Sequence, residues 1–136
     1  MPVRGANIIQ NAGWPCGTAG GKLWPMIAWA VRSMIRRNVQ KLNEGDVKPL
    51  LSSYANDVHF VFPGDTSWAI DARGKGELET WLRRFVEVGM QFEPREIVVS
   101  GWPWDLTICI QFKDHALGPG GETVYENEGM ILGKVA

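Results

Sequence analysis

The feature that most constrains this chain is a strict two-residue alternation late in the sequence. In the stretch 105 to 113, Leu106, Ile108, Ile110 and Phe112 fall on one side, and Thr107, Cys109, Gln111 and Lys113 on the other. A strand with one apolar and one polar face must lay its apolar face on a core. The first third of the chain keeps a different period. Trp24, Ile27, Ala28, Val31, Ile35, Asn38 and Leu42 recur at steps of three and four. That spacing predicts an amphipathic helix, ended at Asn43-Glu44-Gly45, where Gly45 suits a left-handed cap. A chain that opens on the helical period and closes on the strand period is expected to be α+β, with helices packed on one face of a bent sheet.

The stretches between fill in the order. Asp46 reads as the N-cap of a short helix whose first turn holds Lys48, Pro49 and Leu50. Residues 58 to 62 are a β-branched and aromatic run stopped by Pro63-Gly64, and predict a strand. Residues 63 to 73 read as a loop. A third helix starts near Lys75, with Leu78, Trp81, Leu82, Phe85 and Val86 as its apolar stripe and Gly89 closing it. Strands are expected over 96 to 100 and 122 to 132, with turns at Gly101-Trp102-Pro103-Trp104 and at 115 to 121. Residues 1–23 are Gly- and Asn-rich with no sustained period and are expected to form a flexible arm. Residues 24–136 form one domain, long enough to bury a real core.

Composition narrows the function classes. A formal net charge of −1, with 45% apolar and 21% charged residues, is ordinary for a globular chain and unlike a disordered one. Arg32, Arg36 and Arg37 read as a solvated helix face, because phosphate binding needs many more such charges, so no nucleic acid is expected. No run approaches the ~20 apolar residues of a membrane span. No continuous apolar stretch near the start marks a signal peptide, so no membrane is expected and the setting reads as cytoplasmic. Cys16 and Cys109 form neither a disulfide framework nor a ligand spacing, and the histidines His59 and His115 are far apart, so no metal and no cofactor is expected. Seven tryptophans suit a thick core, a wide pocket or a partner interface alike.

Several segments resemble a known superfamily. Asn43-Glu44-Gly45-Asp46, Ser53-Tyr54-Ala55-Asn56-Asp57-Val58 and Phe60-Val61-Phe62-Pro63-Gly64 look like the opening of SnoaL-like polyketide cyclases. They are also similar to ketosteroid isomerases and other members of the nuclear-transport-factor-2-like superfamily. Arg73-Gly74-Lys75-Gly76 and Tyr125-Glu126-Asn127-Glu128-Gly129 fit the same pattern, and the resemblance covers about 24–132. It implies a cone-shaped α+β barrel, its curved and mostly antiparallel sheet cupped around about three helices, and frequent homodimers. Members include isomerases, dehydratases, cyclases and epoxide hydrolases, and also non-catalytic binding and association modules. Such a fold does not assign a function; the site must.

The resemblance also locates site positions. Ketosteroid isomerases pair an Asp base with a Tyr and a protonated Asp. By resemblance those three positions are held here by Phe62, Asn38 and Asn127, none of which can ionise. Asn38 and Asn127 can still orient or polarise a carbonyl through their amides, or serve as a core amide and a sheet hydrogen bonder. Asp65, at the expected barrel mouth, is the candidate general base; its other reading is a turn residue in Pro-Gly-Asp-Thr. Trp68 is a lid or rim packing. His59 alternates with Phe60 and Phe62 and is expected to face away from the pocket, and His115 to sit exposed in a turn.

These residues define the expected function. Phe60, Phe62, Ile108, Ile110 and Phe112, with Trp81 and Phe85 opposite, are expected to line one apolar cavity of several hundred Å3, roughly the small-molecule range, with Trp68 at its mouth and Tyr125, beside Asn127, as further ligand contacts. The ligand is a small hydrophobic, oxygen-bearing molecule. The chain is either a cofactor-free acid–base enzyme of isomerase, cyclase, dehydratase or epoxide-hydrolase type, or a non-catalytic binding or dimerisation module. The polar face of the strand at Thr107 to Lys113 is the expected homodimer interface. The resemblance implies one more strand after the Tyr-x-Asn-x-Gly segment, which the chain ends too early to supply. The arm around Asn7-Ile8-Ile9 is expected to cover the edge left open.

Overall fold

The computed structural model describes residues 23–135. Three helices and five strands follow in the order α1 (Leu23–Asn43), α2 (Lys48–Ser52), β1 (His59–Phe62), β2 (Ile70–Arg73), α3 (Lys75–Glu87), β3 (Met90–Trp102), β4 (Asp105–Leu117) and β5 (Thr123–Val135). β1 and β2 form an antiparallel pair, and β3-β4-β5 an antiparallel three-stranded sheet. The architecture is α+β, as the change of period predicts. The expected arm falls, apart from Leu23, outside the described residues; Leu23 itself opens α1.

The helices end where glycine lets them. Gly45 takes φ +96° after α1 and Gly89 takes φ +73° after α3, conformations that residues with a Cβ rarely adopt. Asp46 does not cap α2 as expected. Val47 holds the N-cap position and α2 starts at Lys48. The Asp46 carboxylate still accepts the Lys48 N–H at 3.1 Å, so its role at the helix start is kept from one residue further out.

The sheet departs from expectation in its lengths. Residues 70–73 form a strand, β2, where a loop was expected; Ala72 on it is fully buried. β3 starts at Met90, six residues before the expected Glu96, and a bulge between Pro94 and Glu96 resets its alternation part-way. β4 runs on to Leu117, so His115 lies in a strand and not in a turn, paired with Gln91 and Glu126. The β4–β5 turn is correspondingly shorter and closes with the Gly118 N–H donating to Glu122 O at 2.7 Å.

Two cores share this framework. α1 lays Ala28, Ile35 and Val39 on Ile97, Val99, Leu106 and Ile108 at one end of the sheet. α3 lays Leu78, Leu82 and Phe85 with Leu42, Val47, Ala72, Met90 and Ala116 at the other. Phe92 packs against both and stacks on Phe112 with centroids 4.7 Å apart. Opposite Phe112 on β5 stands Gly129, where a Cβ would lie 3.0 Å from the ring edge. The glycine of the Tyr-x-Asn-x-Gly segment therefore leaves room for this central ring.

Candidate functional site

The inner face of β4 carries Leu106, Ile108, Ile110, Phe112, Asp114 and Ala116 in unbroken alternation. Five of these are apolar and one is a carboxylic acid. Asp114 is 6% exposed, among neighbours that offer little to an anion, and its Oδ1 has no hydrogen-bond partner among the described residues. Burial raises its carboxyl above the ordinary carboxylate range; Asn127, at the paired position on β5, and the nearby His115 oppose this in part. In its protonated form a carboxyl in an apolar wall can donate a hydrogen bond or a proton.

Around Asp114 the fold gathers aromatic rings from four elements. Phe62 at the end of β1, Trp68 on the β1–β2 loop, Trp81 and Phe85 on α3, Met90 on β3 and Tyr125 on β5 line one small space with it. Steps of four along α3 put Trp81 and Phe85 on one face. Trp81 touches Phe60, Phe62, Trp68 and Phe85, with centroids 5.3 to 6.1 Å apart. The Tyr125 phenol is raised above its usual pKa by burial and then by the Asp114 carboxylate.

The expected site residues divide. Phe62, Trp68, Trp81, Phe85 and Tyr125 come together around Asp114, and Asn127 stands across from it in the β4–β5 pairing. Phe60 does not line the space itself but packs on Trp81, with centroids 5.3 Å apart. Ile108 and Ile110 belong to the core under α1, and Phe112 is spent on Phe92. Asn38 is buried on α1 and does not line the space. Asp65 is exposed on the β1–β2 loop and does not line it either. The single large cavity is also corrected: the space beside Asp114 measures about 10 Å3, near the volume that one water needs. The rings that were expected to stand apart pack on one another. His59 lies outside this group, exposed, with Nε2 2.7 Å from Asp71 Oδ1.

Asp114 itself is the residue that the sequence reading passed over. Its signal was present, because it continues the alternation from Phe112 in phase. The polar run Lys113-Asp114-His115 before a Gly- and Pro-rich turn looks like a strand end, and that masked it.

Against known proteins, the three-dimensional arrangement is informative where the sequence is not. No family model matches the sequence, and no curated protein sequence matches it. A protein of unknown function from Burkholderia pseudomallei, described as NTF2-like, superposes with a TM-score of 0.59 at 17% identity, over 74% of this chain and 77% of that one. A candidate polyketide cyclase from Xanthomonas campestris pv. campestris gives 0.52 at 16% identity, over 78% and 81%. The fold is NTF2-like. A candidate calcium/calmodulin-dependent protein kinase II association domain from Xanthomonas campestris gives 0.58 at 10% identity, over 76% and 73%. The arrangement of this chain is thus similar to proteins described as NTF2-like, as a cyclase and as an association domain, and identities this low carry the fold alone. Among the described residues no three His, Cys, Asp or Glu side chains gather as a metal site. No described helix is long and apolar enough to cross a membrane.

Proposed function

We propose that this protein binds a small hydrophobic, oxygen-bearing molecule beside Asp114 and acts on it by cofactor-free acid–base chemistry of the isomerase, cyclase, dehydratase or epoxide-hydrolase type. The observation that carries this reading is the buried, unpartnered Asp114 oxygen set among Phe62, Trp68, Trp81 and Phe85. A buried polar atom without a partner is unfavourable by about 1–3 kcal/mol, so a site that keeps one has a use for it. A ligand oxygen would supply the missing partner. In this reading Asp114 donates the hydrogen bond or proton. Asn127 and Tyr125 orient the same oxygen, and the aromatic rings exclude water. Asp65 and Asn38, the other expected catalytic groups, take no part in it. Among the described residues Cys109 forms no disulfide, and we propose a reducing, cytoplasmic setting.

A second reading has its own observation. The outer face of β3-β4-β5 aligns Val98, Cys109 and Leu132 in register, with Met130 beside them; Leu132 is 69% exposed. That apolar row supports a homodimer through the outer face, and with it a non-catalytic association module.

Native mass spectrometry of the purified protein tests the first reading. A bound hydrophobic, oxygen-bearing compound is expected in the parent and not in Asp114→Ala. If the parent carries nothing and 13C NMR finds the Asp114 carboxyl titrating at its ordinary value, the reading fails.

A further inference from the structure

The space beside Asp114 is nearly full, and one side chain accounts for that. Trp68 stands edge-on to Trp81, with centroids 5.9 Å apart and planes at 87°, and edge-on to Phe85 at 6.2 Å and 74°. These are favourable aromatic geometries, of the kind a flat ligand would adopt in the same slot. The other rings are fixed by regular structure: Phe62 by the β1–β2 pairing that ends at Ile70, and Trp81 and Phe85 by α3. Trp68 alone comes from an irregular segment, residues 63–69, in which every other residue is exposed.

What holds that segment down is short and mostly peripheral. The Arg84 guanidinium lies over the Trp68 ring at 4.4 Å and donates to Ser67 O at 2.6 Å. Trp81 Nε1–H donates to Trp68 O at 3.0 Å. Within the segment, Ala69 N–H donates to Thr66 O, and Trp68 N–H to Thr66 Oγ1. The Arg84 contacts lie at the exposed surface, where each is worth little, so the part-buried Trp81 bond and the packing of the indole are the main contacts that release of the loop gives up.

We propose that Trp68 is a resident plug, and that the ligand of this site is a flat, fused-two-ring-sized hydrophobic compound with an edge oxygen, which displaces the indole and sets that oxygen on Asp114. The size follows from the indole it replaces, the flatness from the Trp81 and Phe85 faces it would meet, and the oxygen from the unpartnered Asp114 Oδ1. This deepens the proposed function and rests on it for the role of Asp114. The plug itself rests only on the packing of Trp68.

The test uses the full chain and two probes, indane and 1-indanone, titrated by calorimetry or NMR. Trp68→Ala is expected to bind indane roughly tenfold more tightly than the parent or better, because an emptied apolar slot admits an apolar guest. Arg84→Met leaves the ring in place and removes only the latch; it keeps the exposed surface position and guards against a Trp68→Ala protein that fails to fold. It is expected to shift indane affinity in the same direction by a smaller factor. If neither variant gains affinity for indane, Trp68 is packing and the plug is overturned. The oxygen is read separately. In the Trp68→Ala background 1-indanone should bind about tenfold more tightly than indane, and adding Asp114→Leu should abolish that preference. Gain for indane without any preference for 1-indanone leaves the plug standing and overturns the role given to Asp114.

Discussion

Asn43, the last residue of α1, and Phe92, near the start of β3, exchange two hydrogen bonds of 2.8 Å. The Asn43 amide donates to Phe92 O, and the Phe92 N–H donates to Asn43 Oδ1. One side chain thus imitates a neighbouring strand for one residue, at the joint where the two cores meet on the Phe92 ring. Asn43→Ala leaves two partly buried backbone groups without those partners. A loss of about 1–3 kcal/mol is expected in urea denaturation, and Asn43→Asp should not rescue it, because its carboxylate oxygen would face the Phe92 carbonyl oxygen where the amide donor stood. An unchanged midpoint in Asn43→Ala would show that water replaces the amide without penalty.

Asp114 makes stability depend on pH in an unusual direction for a carboxylate. Burial raises its pKa in the folded state. The folded protein therefore holds this proton more tightly than the unfolded chain does. Below the unfolded value, about 3.9, both states are protonated and the acid is buried at its most favourable. As pH rises past that value the unfolded chain releases its proton first and stability falls. The loss is complete once pH passes the raised folded value. Asp114→Asn cannot lose a proton, so it is expected to gain on the parent as pH rises above about 3.9 through the raised folded value. Parallel stability curves for the two proteins over that range would mean that Asp114 is not desolvated.

How much of this was legible follows from where the signals were long. The α1 stripe and the alternation on β4 each span several periods, and both elements stand where the pattern put them. β2 is four residues long, too short for alternation to register. Its strand character comes from pairing Ala72 with Phe60 and Ile70 with Phe62. The β3 alternation is broken by the bulge at Pro94, which hid its first half. The site was half legible. Phe62, Trp81 and Phe85 follow from periodicity, whereas the inward course of Trp68 depends on Arg84 and Trp81, which no local pattern connects to it. Ile108 and Ile110 share a face with Asp114 but lie under α1, because a single sheet face serves two cores here.

The outer face of the sheet makes the dimer proposal quantitative. Val98, Cys109 and Leu132 lie in register across three strands, and Met130 and Gln111 pair beside them. Sedimentation at about tens of micromolar should find dimers, and Leu132→Glu should shift them to monomers without a comparable change in melting temperature. Monomer alone for the parent under those conditions removes the association reading. A dimer unmoved by Leu132→Glu places the interface elsewhere.

β5 presents a second problem, distinct from its face. It pairs with β4 on one side, and among the described residues no strand pairs with the other. An open edge thirteen residues long is an invitation to aggregate unless something covers it. Its exposed apolar residues, Val124 at 62% and Leu132 at 69%, strengthen that hazard. Residues 1–22 lie outside the described residues, and we propose the segment around Asn7-Ile8-Ile9 as the cover, from the same chain or from a dimer partner. Its β-branched pair suits strand addition, and more than ten residues separate it from α1, a reach of about 3.3 Å each when extended. Deletion of residues 1–20 should lower the melting temperature or bring on aggregation. Ile8→Lys with Ile9→Lys should do the same with the arm's length intact, and that separates a specific cover from a loss of bulk. A deleted protein as stable and soluble as the parent would show that the edge is managed without the arm.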